Sequence, residues 1–143
     1  MTEGIDRRSQ AREWVESAHL DLIKGEVVLS RVGRTKLTEK SASGDFHLCC
    51  EKCLKSLIIF SGGEIFRSHD LIVLKLKAES LGVAVPVDSG TLEQVKNLSV
   101  AARYPGMDVS DKEFELSWRV AKILHNFVES VLNSSEIKDS NHF

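Results

Sequence analysis

The sequence predicts an all-α protein: an antiparallel, up-and-down helical bundle of about five helices with a four-helix-bundle-like core. Three observations carry this. Apolar residues recur at three- and four-residue spacing along most of the 143 residues, which is the period of one helix face. With 2 Pro, 9 Gly and 1 Tyr, the chain is short of the turn residues that an all-β fold needs. Hydrophobic residues at 42% and charged residues at 28% suit a globular chain rather than a disordered one.

The first helix is expected from about Ala11 to Val32, with Ala11, Trp14, Ala18, Leu22, Val28 or Leu29, and Val32 on its apolar face and Gly25 interrupting the row. Gly33 stops it, and 34–44 reads as a polar connection. The second helix, from about Asp45 to Ser61, buries Phe46, Cys50, Cys53, Leu54, Leu57 and Ile58. It is the most apolar helix, so it belongs at the centre of the bundle. Gly62-Gly63 ends it in a left-handed cap. Ser68 is placed to cap a third helix, with Asp70 in its first turn and Leu71, Leu74, Ala78 and Leu81 as its stripe, ended by Gly82. Thr91 and Gln94 have capping-box spacing at the start of a fourth helix, which closes before Arg103-Tyr104-Pro105-Gly106. Ser110 and Glu113 form a further capping box, opening a fifth helix to about Ser134 on the face of Phe114, Trp118, Ala121, Leu124, Val128 and Val131.

One domain, 9–134, is expected, with flexible termini at 1–8 and 135–143. Such a chain buries roughly two-thirds of its unfolded surface. The longest apolar runs, Leu57–Phe60 and Leu71–Leu74, fall far short of the ~20 residues of a membrane span. Met1 to Arg12 is polar and has no signal-peptide core. Three cysteines crowded at 49, 50 and 53 make a poor disulfide framework and suggest a reducing cytoplasm. The net charge of -2 excludes a surface that is basic overall, the kind that coats nucleic acid, but not a local basic patch.

Several groups of residues have chemical potential. Cys49, Cys50 and Cys53 with His47 lack the second ligand pair that zinc favours and read as buried small hydrophobes, so no metal is expected. Arg12 with His19, and Arg119 with His125, pair a guanidinium with an imidazole at the spacing of metal-independent ribonucleases. Arg119 and His125 are six apart, on opposite sides of one helix. Arg67-Ser68-His69-Asp70 opens a helix, where backbone N–H groups with Arg67 and His69 suit an anion. Arg103 and Tyr104 put a cation and an aromatic at a helix end; a bland alternative is an ion pair from Arg103 to Glu51 or Asp21. Lys52 and Lys55 share a helix face and offer a basic strip, with a solvated face as the default. There is no Gly-rich phosphate loop, zinc-binding helix motif or nucleophile elbow, and no cofactor is expected.

In order, these pieces resemble the HEPN domain family, the higher eukaryote and prokaryote nucleotide-binding domain. The family's first helix carries Ala, an aromatic, Ala and Asp-Leu, here Ala11, Trp14, Ala18 and Asp21-Leu22. Its second ends in Glu-Lys-x-Leu-Lys-x-Leu, here Glu51 to Leu57. Glycine and Thr-His-x-Leu follow, here Gly62-Gly63 and Ser68 to Leu71, and a later helix ends in Ala102-Arg103-Tyr104-Pro105-Gly106. A central Ala in the last helix matches Ala121. The resemblance covers about 9–134 and implies a bundle that dimerises and is often paired with a minimal nucleotidyltransferase in toxin–antitoxin-like systems. The Arg–His ribonuclease motif of many members has no counterpart, since 108–110 are Asp, Val and Ser. The leading expectation is therefore a non-catalytic homodimeric module that binds a nucleotide or RNA phosphate through Arg67, His69, Arg103, Tyr104 and Lys52. The alternatives are a metal-independent endoribonuclease with a composite Arg/His site and a purely structural scaffold.

Overall fold

The computed structural model describes residues 3–64 and 67–140. Five helices occur among the described residues: α1 (Glu3–Arg31), α2 (Lys36–Phe60), α3 (Leu71–Ser80), α4 (Ser89–Ala102) and α5 (Asp111–Ser140). The all-α prediction holds, and no strand occurs among the described residues. No helix there is long and apolar enough to cross a membrane.

α2 is central, as its composition predicts, and touches each of the other four helices. It begins at Lys36, well inside the stretch expected to be a connection. Thr35 is its N-cap: the Thr35 hydroxyl accepts from Thr38 N–H, and the Thr38 hydroxyl accepts from Thr35 N–H. The first turns are polar, so the apolar period cannot announce them. Thr38, Glu39 and Ser43 are nonetheless buried, with Ser43 Oγ donating to the Glu39 carbonyl at 2.7 Å.

α1 packs antiparallel on α2. Arg7 donates to the carbonyls of Ile59 and Gly63 at 3.1 and 2.8 Å, serving acceptors that the end of α2 leaves without helical partners. Ser56 Oγ donates to the Ala11 carbonyl at 2.8 Å. Gly25 does not break α1. A Cβ there would lie 2.6 Å from Phe46 Cε1, so the glycine admits the Phe46 ring against the α1 backbone. That ring is fully buried, stacks on Trp118 with centroids 5.6 Å apart and contributes roughly 1.5–3 kcal/mol by burial.

Phe46 meets Phe114 and Trp118, and Cys49 Sγ lies 3.9 Å from the Ala121 carbonyl. α5 therefore runs in the same direction as α2 and antiparallel to α1. Trp118 Nε1 of α5 donates to Glu26 of α1 at 2.9 Å. The three cysteines are free and buried.

Glycines with positive φ follow the ends of α1, α2 and α3, at Gly33, Gly62 and Gly82, and a fourth, Gly106, lies beyond α4, where the left-handed conformation suits glycine. The expected caps of α3 and α4 are displaced. Asp70, not Ser68, caps α3, its carboxylate accepting from Ile72 and Val73 N–H; Ser68 Oγ accepts from Asp70 N–H instead. Asp88, not Thr91, caps α4 and accepts from Thr91 N–H. At α5 the expected pair is present: Ser110 Oγ accepts from Glu113 N–H and donates to the Glu113 carboxylate.

Candidate functional site

Two polar clusters stand out from this frame. The first gathers where α2, the approach to α3 and the end of α4 converge. His69, just before α3, meets Glu51 in the middle of α2. Glu51 is 5% exposed. Lys55, one turn on, donates to its Oε2 at 3.1 Å, and His69 Nδ1 sits 3.0 Å from the same oxygen. Lys55 Nζ also lies 5.4 Å from the Trp14 ring centroid, a cation–π contact. A buried carboxylate is tolerated here because two donors satisfy it.

His47 lies one turn before Glu51 and is buried. Burial is the main cause that holds its imidazole below the ordinary value. Glu51 pulls it up, Arg103 and His69 push it down, and Asp70 pulls it up. Asp70 forms a 2.7 Å ion pair with Lys96 of α4, which is the first cause of its lowered carboxyl pKa.

The five residues expected at an anion cleft fare differently. His69 meets Glu51, while Arg103 is linked to this cluster only by its charge, which together with that of His69 lowers the His47 pKa. The His69 side chain is 81% exposed and so reaches solvent while touching Glu51. Arg103 is exposed and makes no ion pair among the described residues, so the pairing with Glu51 or Asp21 is corrected. Those carboxylates are held by Lys55 and Lys52. Tyr104 is 56% exposed beside Arg103, and its carbonyl accepts from Lys40 at 3.3 Å. Arg67 is exposed on the link, two residues before His69. Lys52 turns the other way, to buried Asp21 of α1 at 2.7 Å. The basic strip of Lys52 and Lys55 is therefore corrected as well: each is matched by its own carboxylate, and Glu51 and Lys55 are buried rather than solvated. The expected anion site on the α3 backbone is also taken, because the Asp70 carboxylate fills the Ile72 and Val73 N–H groups itself. Sequence reasoning missed the inward roles of Glu51, Lys55 and Asp21. Their signal was charge inside an apolar period, which demands a buried partner.

The second cluster lies between α1 and α5. His19 and His125 stack with centroids 4.8 Å apart and planes at 22°. Arg12 pairs with Glu129 at 3.2 Å, and His125 Nε2 is 3.9 Å from the same carboxylate. Nε2 of His125 is buried with no hydrogen-bond partner among the described residues. Burial first, then the neighbouring His19, lowers the His125 pKa, with Glu129 opposing. Arg12 and His19 thus share a face, as their spacing implies. Arg119 does not join them. It lines a cleft of about 780 Å³ with Gln94, Asn97 and Lys112, on the other side of α5 from His125. No group of three or more metal-ligating side chains suited to an ion occurs among the described residues.

A family model described as HEPN domain matches residues 6–133. No curated protein matches the chain. The crystal structure of TT1696 from Thermus thermophilus superposes with a TM-score of 0.61 at 22% identity, over 85% of this chain and 97% of that one, a likeness of fold.

Proposed function

The chain belongs to the HEPN domain family, and we propose that within it this protein is a non-catalytic binding module for a nucleotide or RNA phosphate. It works in the cytoplasm as a homodimer, alongside a minimal nucleotidyltransferase in a toxin–antitoxin-like pair. One observation carries the binding reading. Around the Glu51 cluster the lysines are matched one by one with carboxylates, Lys52 with Asp21, Lys55 with Glu51 and Lys96 with Asp70. Arg67, two residues before the exposed imidazole of His69, and Arg103, past the end of α4, are exposed and make no ion pair among the described residues, and a guanidinium fork suits phosphate oxygens. Tyr104 adds an exposed ring next to Arg103, on which a base can stack. Lys52, spent on Asp21, leaves the list of contact residues.

Fluorescence anisotropy with labelled ATP and a labelled single-stranded RNA tests this. Arg103→Ala and His69→Ala are expected to weaken binding at least tenfold, about 1.4 kcal/mol, with unchanged helical content. Equal binding by both variants contradicts the assignment.

A second reading, a metal-independent ribonuclease, is favoured by a separate observation: Arg12, His19 and His125 converge in one place between α1 and α5. Two imidazoles within one site can divide acid and base roles. It predicts RNA cleavage in EDTA that is lost in His19→Ala and His125→Ala and kept in Arg119→Ala.

A further inference from the structure

We propose that the outer face of α1 is the homodimer interface, closed by a two-fold axis that lays two copies of α1 antiparallel about the point between Ile23 and Lys24. This rests on the homodimer reading above and adds to it the surface and its register.

Leu20, Ile23 and Val27 are 61%, 38% and 46% exposed. With Glu16 they follow a four, three, four spacing, the seam pattern of paired helices. Scattered exposed apolar side chains are ordinary on a monomer; a continuous stripe along one helix is a contact surface. Shallow grooves between α1 and α5 flank this stripe at both ends. One, of about 500 Å³, is lined by Leu20, His19 and His125. The other, of about 470 Å³, is lined by Ile23, Val27 and Trp118. Each offers a hole for a side chain from a facing helix.

The charges at the two ends of the stripe select a second copy of this chain as the occupant. Glu16 precedes the apolar residues and Arg31 follows them, about 22 Å away along the helix. Both are exposed, and neither makes an ion pair among the described residues. An axis passing between positions 23 and 24 sets Leu20 opposite Val27 of the second copy and Glu16 opposite its Arg31. The surface is then complementary to its own reverse, as an isologous interface requires. A parallel arrangement would set Glu16 on Glu16 and Arg31 on Arg31, which like-charge repulsion disfavours.

Size-exclusion chromatography with light scattering on the full chain tests this. The wild type is expected to run as a dimer and Ile23→Asp as a monomer with its helical circular dichroism retained. Glu16→Arg and Arg31→Glu, at exposed positions that leave the fold intact, are each expected to weaken the dimer, and the double reversal to restore it. A monomeric wild type overturns the homodimer reading and this interface together. A wild-type dimer that survives Ile23→Asp and both single reversals overturns the interface alone.

Discussion

The two histidine clusters are built from similar parts and reach opposite outcomes. In each, an imidazole lies near a glutamate on a neighbouring turn or helix. At Glu51 the buried charge is met by Lys55 and His69, and the remaining cations, Arg67 and Arg103, stand outside it. At His125 the buried atom is the imidazole Nε2, which has no hydrogen-bond partner among the described residues. The difference teaches that polar burial here has two uses. A satisfied cluster ties α2 to the link before α3 through His69 and to α1 through Trp14. An unsatisfied ring stores a cost and makes the α1–α5 contact sensitive to protonation.

The largest effect is expected from breaking the satisfied side. Glu51→Ala strands the Lys55 ammonium in a buried site, and leaving one buried charge without its partner costs about 3–5 kcal/mol. Urea unfolding measures it, as a lower midpoint at unchanged slope. A loss below about 1 kcal/mol would mean that Lys55 escapes to water and that the cluster does not hold the fold.

A smaller effect of opposite sign is expected on the other side. His125→Phe keeps a ring against His19 and removes the unpartnered nitrogen, so stability rises by about 1 kcal/mol. It also changes the acid response. His47 and His125 both have folded pKa values below the ordinary imidazole value. The unfolded chain therefore binds more protons as pH falls through about 6.5, and stability is full above that value and erodes below it. A thermal melt series between pH 8 and 5 should show that erosion, reduced in His125→Phe. A pH-independent melting temperature in the wild type would contradict both assignments.

The smallest effect on folding belongs to the rim. Arg103→Ala removes an exposed side chain with no ion pair among the described residues, and such a change stays within about 0.5 kcal/mol. Differential scanning calorimetry checks this against Glu51→Ala. A large loss at Arg103 would make it part of the frame.

Much of the frame is legible in the sequence, because apolar period and glycine punctuation are local signals. Gly33, Gly62 and Gly82 mark three helix ends at the expected places. The early start of α2 is not legible, since Lys36 to Ser43 buries polar side chains through hydrogen bonds rather than apolar ones. The caps at Asp70 and Asp88 escape a sequence reading because two or more cap-forming residues lie within three positions, and local sequence does not rank them. The site is legible only in part. His69 and Arg103 are recognisable individually, while the contact of His69 with Glu51 joins residues 18 positions apart, beyond the reach of any local pattern. That His125 stacks on His19 rather than acting with Arg119 depends on helices from opposite ends of the chain, which no local spacing encodes.

The central claim is that the two clusters have separate duties, with binding at the Glu51 rim. Histidine ring signals report it directly. In an NMR titration of the protein with ATP or a short single-stranded RNA, the signals of His47 and His69 are expected to shift with ligand while those of His19 and His125 stay in place. Shifts confined to His19 and His125, or no shift at any histidine, would contradict the claim.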